Sequence, residues 1–153
     1  MPDIAAAVPL FCDVLGATFI AGGDNDDTGT RLLHLQLPAM KLELLAPLRE
    51  DSLTGPVLRE RGPGLHHITI FVDDLPATVG AFDAAGLRTT GTDDSSEVWQ
   101  ETFLRPRDTF GALLQFVKTT RDWNTPTRDV ALEDVLAGRV VWREYVPCLR
   151  DAR

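Results

Sequence analysis

The chain carries one local pattern twice, about seventy residues apart, and a repeated unit of that size limits the fold more than composition does. Asp3, Ile4, Ala6, Val8 and Phe11 are echoed in type and spacing by Asp74, Leu75, Ala77, Val79 and Phe82, and each copy then reaches a glycine, Gly16 or Gly86. An aspartate able to cap a helix, apolar residues three and four apart, and a closing glycine describe a short amphipathic helix. Helices are therefore expected over 3–15 and 74–85. After each one the apolar period shortens from helical to extended. This predicts strands over 17–21, 31–37 and 40–46 in the first copy and over 87–91, 97–104 and 112–118 in the second.

The second copy has a further strand ahead of its helix, 65–72, which the first lacks. The expected fold class is α+β: two βαβββ modules, the first without its N-terminal strand, with mixed sheets curved around one cavity. Module one spans 1–50 and module two 64–118, within a single domain over 1–120, and 51–64 is a polar link with one helical turn. The 153 residues, 44% of them apolar, suit one compact domain. A tail over 121–153 is expected to pack on or complete that domain. Its helix falls at 129–136 and its strand at 139–146, where β-branched and aromatic residues are dense. That strand is expected to stand beside the 40–46 strand, where the first module lacks one.

Strand alternation sorts side chains onto two faces. Leu33, Leu35, Leu37, Leu42 and Leu44 fall to a core face, as do Ile68, Ile70, Val72, Leu114 and Phe116. The opposite faces carry His34, Glu43, His67 and Gln115, which would meet if both open faces line one hollow. Singly, none of them identifies a site. A carboxylate on a strand is more often solvated than ligating, and a histidine often serves only to bond the backbone.

At these residues the sequence resembles the vicinal oxygen chelate (glyoxalase/bleomycin resistance/dioxygenase) superfamily, and within it the methylmalonyl-CoA epimerases. The likeness rests on Lys41-Leu42-Glu43-Leu44-Leu45-Ala46-Pro47-Leu48, Gly64-Leu65-His66-His67-Ile68, Val72-Asp73-Asp74, Phe103-Leu104-Arg105-Pro106 and Gly111-Ala112-Leu113-Leu114-Gln115, in that order. It runs from about residue 3 to residue 118. The resemblance implies a divalent metal ion (cobalt, zinc, nickel, manganese or magnesium) held by Glu43, His67 and Gln115. It also implies proton removal from and return to a carbon beside a carbonyl, with the metal as Lewis acid. Two departures stand out. The family's first-strand histidine has no counterpart, and a glutamate has become Gln115, which can still offer an oxygen but no charge.

The function expected is a metal-assisted isomerase or epimerase, or a lyase of similar enolising chemistry, with an anionic acyl thioester as the substrate implied. Glu43, His34 and Glu101 are the expected catalytic residues, with His34 or Glu101 as the proton carrier. The alternative is a metal-free binding protein or metal-independent enzyme whose hollow is walled by Trp99, Phe71 and Phe103. A net charge of -8 opposes nucleic-acid binding, although Arg59, Arg61, Arg105, Arg107 and Lys118 leave room for a small anion. No apolar run approaches a membrane span, and the opening residues show no export signal, so a cytoplasmic protein is expected. Cys12 and Cys148 have no metal-site spacing and are expected reduced. A homodimer is the expected assembly.

Overall fold

The computed structural model describes residues 1–151. They group into two compact units: Met1–Gly64 together with the chain from Trp123 onward, and Leu65–Asp122. The fold is α+β, with one mixed sheet in each unit.

In the first unit β1 (Thr18–Asn25), β2 (Thr30–Leu37) and β3 (Met40–Pro47) form an antiparallel meander in which Leu35 faces Leu42 and His34 faces Glu43. Leu33 and Leu35 are fully buried, and they share a core with Leu44, Ala46 and Ile4 as alternation requires. The expected helix over 3–15 is instead a 3-10 turn, Ala5–Ala7, followed by a π turn, Pro9–Val14. Pro9 has no N–H to give to an α-helical ladder. A helix α1 (Gly55–Arg61) occupies the link.

The second unit contains β4 (His67–Phe71), α2 (Leu75–Ala84), β5 (Thr89–Asp93), β6 (Trp99–Leu104) and β7 (Leu113–Thr119), with strand order β4-β7-β6-β5. Asp74 caps α2 by accepting from the Ala77 N–H at 2.9 Å. β5, β6 and β7 repeat the meander of the first unit, so Glu43 on β3 and Gln115 on β7 occupy equivalent strands. The core is small: Leu75, Leu104 and Phe116, with Phe82 against Phe116 at a ring distance of 4.7 Å. Ile68 and Ile70 were expected there but are 45% and 39% exposed. α2 packs over β5, β6 and β7, and β4 is the edge strand of the sheet.

The tail also departs from expectation. A short helix α3 (Leu132–Leu136) precedes a hairpin, β8 (Val140–Arg143) and β9 (Val146–Leu149), where one strand had been predicted. Glu144 and Tyr145 turn the chain with φ of 48° and 64°. β8 adds to β1, in parallel at Asp24 and Val141, and not to β3, so the sheet order is β3-β2-β1-β8-β9. Two glycines on β1 make this possible. A Cβ on Gly22 would stand 2.8 Å from the Leu32 carbonyl oxygen and 3.0 Å from Val135, and one on Gly23 would meet Val140 at 3.1 Å. Side chains at either position would hold α3 and β8 away. Asp24, nearly buried, then fastens the hairpin by accepting from Arg31 at 2.6 Å and from Arg150 at 3.0 Å.

Candidate active site

On the open face of the first sheet, His34 Nε2 and a Glu43 carboxylate oxygen lie 2.9 Å apart, across the β2–β3 register that pairs the two residues. Both side chains are largely withdrawn from solvent, at 15% and 29% exposed. Two tryptophans from the tail close around the imidazole. Trp123 meets it edge to face at 5.5 Å, and Trp142 lies tilted at 5.8 Å. The Lys41 ammonium donates to the Trp123 carbonyl, which fixes that approach. Trp142 rests above Gly23, whose missing side chain leaves space for the indole. Among the described residues His34 Nδ1 makes no hydrogen bond, so the ring is oriented through one nitrogen and open at the other. Two clefts of this unit, beside Arg31 and Ala46 and beside Arg49 and Arg59, lie elsewhere.

The second unit places His67, Thr69 and Phe71 of β4, Gln115 of β7, and Trp99, Glu101 and Phe103 of β6 on one sheet face, through the pairs His67 with Leu113, Thr69 with Gln115 and Phe103 with Gln115. Thr69 donates to the Gln115 amide oxygen at 2.7 Å, and the Gln115 amide donates to Glu101 at 2.7 Å. The Trp99 indole N–H reaches the same Glu101 oxygen at 2.8 Å. His67 Nδ1 lies 3.0 Å from His66 Nδ1.

As arranged, the residues expected to hold a metal do not fit a divalent ion. One Glu43 oxygen is taken by His34, both ends of the Gln115 amide are engaged, and His67 Nδ1 is turned to His66. Among the described residues no group of three or more histidines, cysteines, aspartates or glutamates stands close enough to hold a metal ion.

Two modules with equivalent meanders and open polar faces call for comparison with proteins of that architecture, and residues 1–103 match the family model of the Glyoxalase/Bleomycin resistance protein/Dioxygenase superfamily. The chain belongs to this superfamily. Within the superfamily it is similar to ethylmalonyl-CoA/methylmalonyl-CoA epimerase of Cereibacter sphaeroides, at 33% identity over 75% of this chain and 89% of that protein. It is also similar to the mitochondrial methylmalonyl-CoA epimerase of Mus musculus, at 30% identity over 75% of this chain and 66% of that protein. Among solved structures, methylmalonyl-CoA epimerase from Mycobacterium tuberculosis aligns with a TM-score of 0.69 at 28% identity, over 79% of this chain and 83% of that one. A variant of the Streptomyces coelicolor epimerase in complex with 2-nitronate-propionyl-CoA aligns with a TM-score of 0.68 at 28% identity, over 78% and 91% of the two chains. These homologues are enzymes, and their shared activity is the epimerisation of acyl-CoA esters.

The structure brings His34 to Glu43 and Gln115 to Glu101, while Glu43 and the pair His67 and Gln115 belong to different units. Phe71 and Phe103 share a face with Trp99 as expected, but the Trp99 N–H is committed to a carboxylate and is not simply part of a wall. Sequence reasoning missed Trp123 and Trp142 as neighbours of His34. In the tail, Arg143 donates to the Arg150 carbonyl and Glu144 lies in the hairpin turn. Thr69 lies two residues after His67 and so shares its face, which is the one signal in the sequence for its role.

Proposed function

We propose that the chain is an epimerase or isomerase of acyl-CoA thioesters, working by enolisation at the carbon beside the thioester carbonyl. The observation that carries this reading is the His34–Glu43 pair. A carboxylate fixes one ring nitrogen of a half-enclosed imidazole and leaves the other to exchange a proton. His34 takes the α-hydrogen as a proton, and the C–H electron pair moves toward the carbonyl as the enolate forms. Glu43 orients the ring and balances its charge. Return of a proton to the enolate carbon completes the reaction, and Glu101 is the second candidate proton carrier. The homologues' acyl-CoA substrates support the substrate class.

Glu43, His67 and Gln115, the donors expected for a cobalt, zinc, nickel, manganese or magnesium ion, are each engaged with other partners. Their present engagements and the neutral amide lead us to expect weak binding, and no step above depends on it. Titration with cobalt or zinc is expected to show no tight one-to-one site; a tight one dependent on Glu43 and His67 overturns this part. The protein is expected to be a cytoplasmic homodimer. Among the described residues no helix is long and apolar enough to cross a membrane.

The test is exchange of the α-proton of methylmalonyl-CoA and ethylmalonyl-CoA in deuterated water, followed by mass spectrometry. Exchange by the natural protein that drops about a hundredfold or more in His34→Gln is the expected result. The alternative, a binding protein without catalysis, draws on the 54% exposure of Phe71 on the face that also holds Phe103. It would be favoured by thioester binding with no exchange.

A further inference from the structure

The hydrogen bonds that converge on Glu101 assign Gln115 a part no metal site would give it. Glu101 and Gln115 are diagonal neighbours, because β6 and β7 pair Glu101 with Val117 and Phe103 with Gln115. Trp99 stands two residues before Glu101 and therefore projects from the same face. Two donors, the Gln115 amide at 2.7 Å and the Trp99 indole at 2.8 Å, reach the same carboxylate oxygen, Oε2. Among the described residues Oε1 makes no hydrogen bond. The direction of the chain is fixed by chemistry. Only the nitrogen end of an amide can face a carboxylate, so the Gln115 oxygen must turn the other way, where Thr69 donates to it at 2.7 Å.

We propose that Gln115, with Thr69 and Trp99, is a positioning residue that locks the Glu101 carboxylate so that Oε1 faces the carbon acid. The chemistry rests on the function proposed above, with Glu101 as one of its two proton carriers. Glu101 Oε1 forms a bond to the α-hydrogen, the C–H bond breaks, and its electron pair is delocalised into the thioester as an enolate. The reverse step returns the proton and leaves Glu101 a carboxylate, so no co-reactant is needed. A side chain such as glutamate has several rotamers to lose. Anchoring Oε2 twice removes that freedom before substrate arrives, which favours turnover over binding. Thr69 acts one bond further out, since without its hydroxyl the amide is free to turn its oxygen toward Glu101 and repel it.

Steady-state exchange kinetics with methylmalonyl-CoA, paired with nuclear magnetic resonance of the Trp99 indole N–H in the resting protein, tests this. Gln115→Met keeps the length and loses both hydrogen bonds. It is expected to lower kcat about tenfold with KM unchanged, in line with a lost bond to a charged group. Thr69→Val should give a smaller loss that Thr69→Ser restores. Gln115→Glu discriminates most sharply. A second carboxylate against Glu101 should lower kcat at least as far as Met does, whereas a metal ligand would gain charge and raise both ion affinity and turnover, which would overturn the proposal. The Trp99 resonance should move in Glu101→Gln and in Gln115→Met. If it stays where it is in both, the chain of bonds is not present and the inference fails. If the natural protein shows no exchange at all, the proposed function fails instead, and the resonance still decides whether Gln115 positions Glu101.

Discussion

The two units build the same three-stranded meander and finish it on opposite sides. In the second, β4 pairs in parallel with the last strand of the meander over five residues, from His67 with Leu113 to Phe71 with Val117. In the first, β8 and β9 extend the sheet beyond the opening strand, β1, with one parallel bridge at Asp24 and Val141. Long backbone registry holds β4 in place. β8 has little of it, and is held by buried side chains and by arginines on Asp24. A strand can thus be added to a sheet by its hydrogen-bond ladder or by what lies on its faces, and the two solutions should fail under different perturbations.

The largest difference should come from removing residues 121–153. Val130, Val135 and Val140 from the tail are buried in the first unit's core. Losing three such side chains is worth on the order of 5 kcal/mol or more, so the truncated protein is expected to aggregate or to melt far below the full chain. A truncated protein that remains soluble with an unchanged thermal midpoint would show that the tail only decorates the sheet.

Asp24→Asn should follow in size. The carboxylate is 6% exposed, with Arg31 and Arg150 at 21% and 38%. Breaking an ion pair buried on one side and wet on the other is expected to cost about 2 kcal/mol, below the loss for a fully enclosed pair. Chemical denaturation would measure it. A cost near zero would leave packing alone holding β8.

A single type of change should then act with opposite signs in the two units. Gly22→Ala forces a methyl against the Leu32 carbonyl and Val135, at an expected cost of about 1–3 kcal/mol. Gly80→Ala, in α2 with nothing within 4 Å of the added carbon, is expected to stabilise by about 0.5–1 kcal/mol. Matching signs in thermal denaturation would contradict the packing described around β1.

The smallest effect concerns acid. The Arg150 hydrogen bond holds the Asp26 carboxyl below its ordinary range. Its contribution is therefore present above about pH 4 and is lost as pH falls through the lowered value. Asp26 is half exposed, so the hairpin should loosen by only about 0.5 kcal/mol. Asp26→Asn should remove that part of the pH dependence of the thermal midpoint.

The repeat, the meanders and the capped helix α2 could be read from sequence because each follows from a local rule: an N-capping aspartate, a terminal glycine, a period of two. What escaped reading depended on the partner of a strand. Ile68 and Ile70 alternate as core residues should, yet both stay well exposed on the edge strand β4, and alternation says nothing about what covers a face. The hairpin at Glu144 and Tyr145 carries no glycine or asparagine to mark positive φ, so one long strand was the natural reading. The site divides in the same way. Alternation put His34, Glu43 and Gln115 on the faces opposite the core residues of their strands. That Gln115 would grip Glu101, and that Trp142 would stand over His34, followed from diagonal register and from a parallel bridge between residues more than a hundred positions apart.

The first unit is assembled from the two ends of the described chain, with Leu65–Asp122 between them. During synthesis, β1, β2 and β3 leave the ribosome while Val135 and Val140, which seal their core, are still untranslated. At ordinary elongation rates of about 5–20 residues per second, that interval lasts several seconds. The second unit, contiguous in sequence, can close during this time, whereas the first must wait with Leu33 and Leu35 uncovered. Chaperone demand and sensitivity to translational pausing therefore fall on the earlier-made strands, and the segment that carries Val135 and Val140 decides when the first unit is folded.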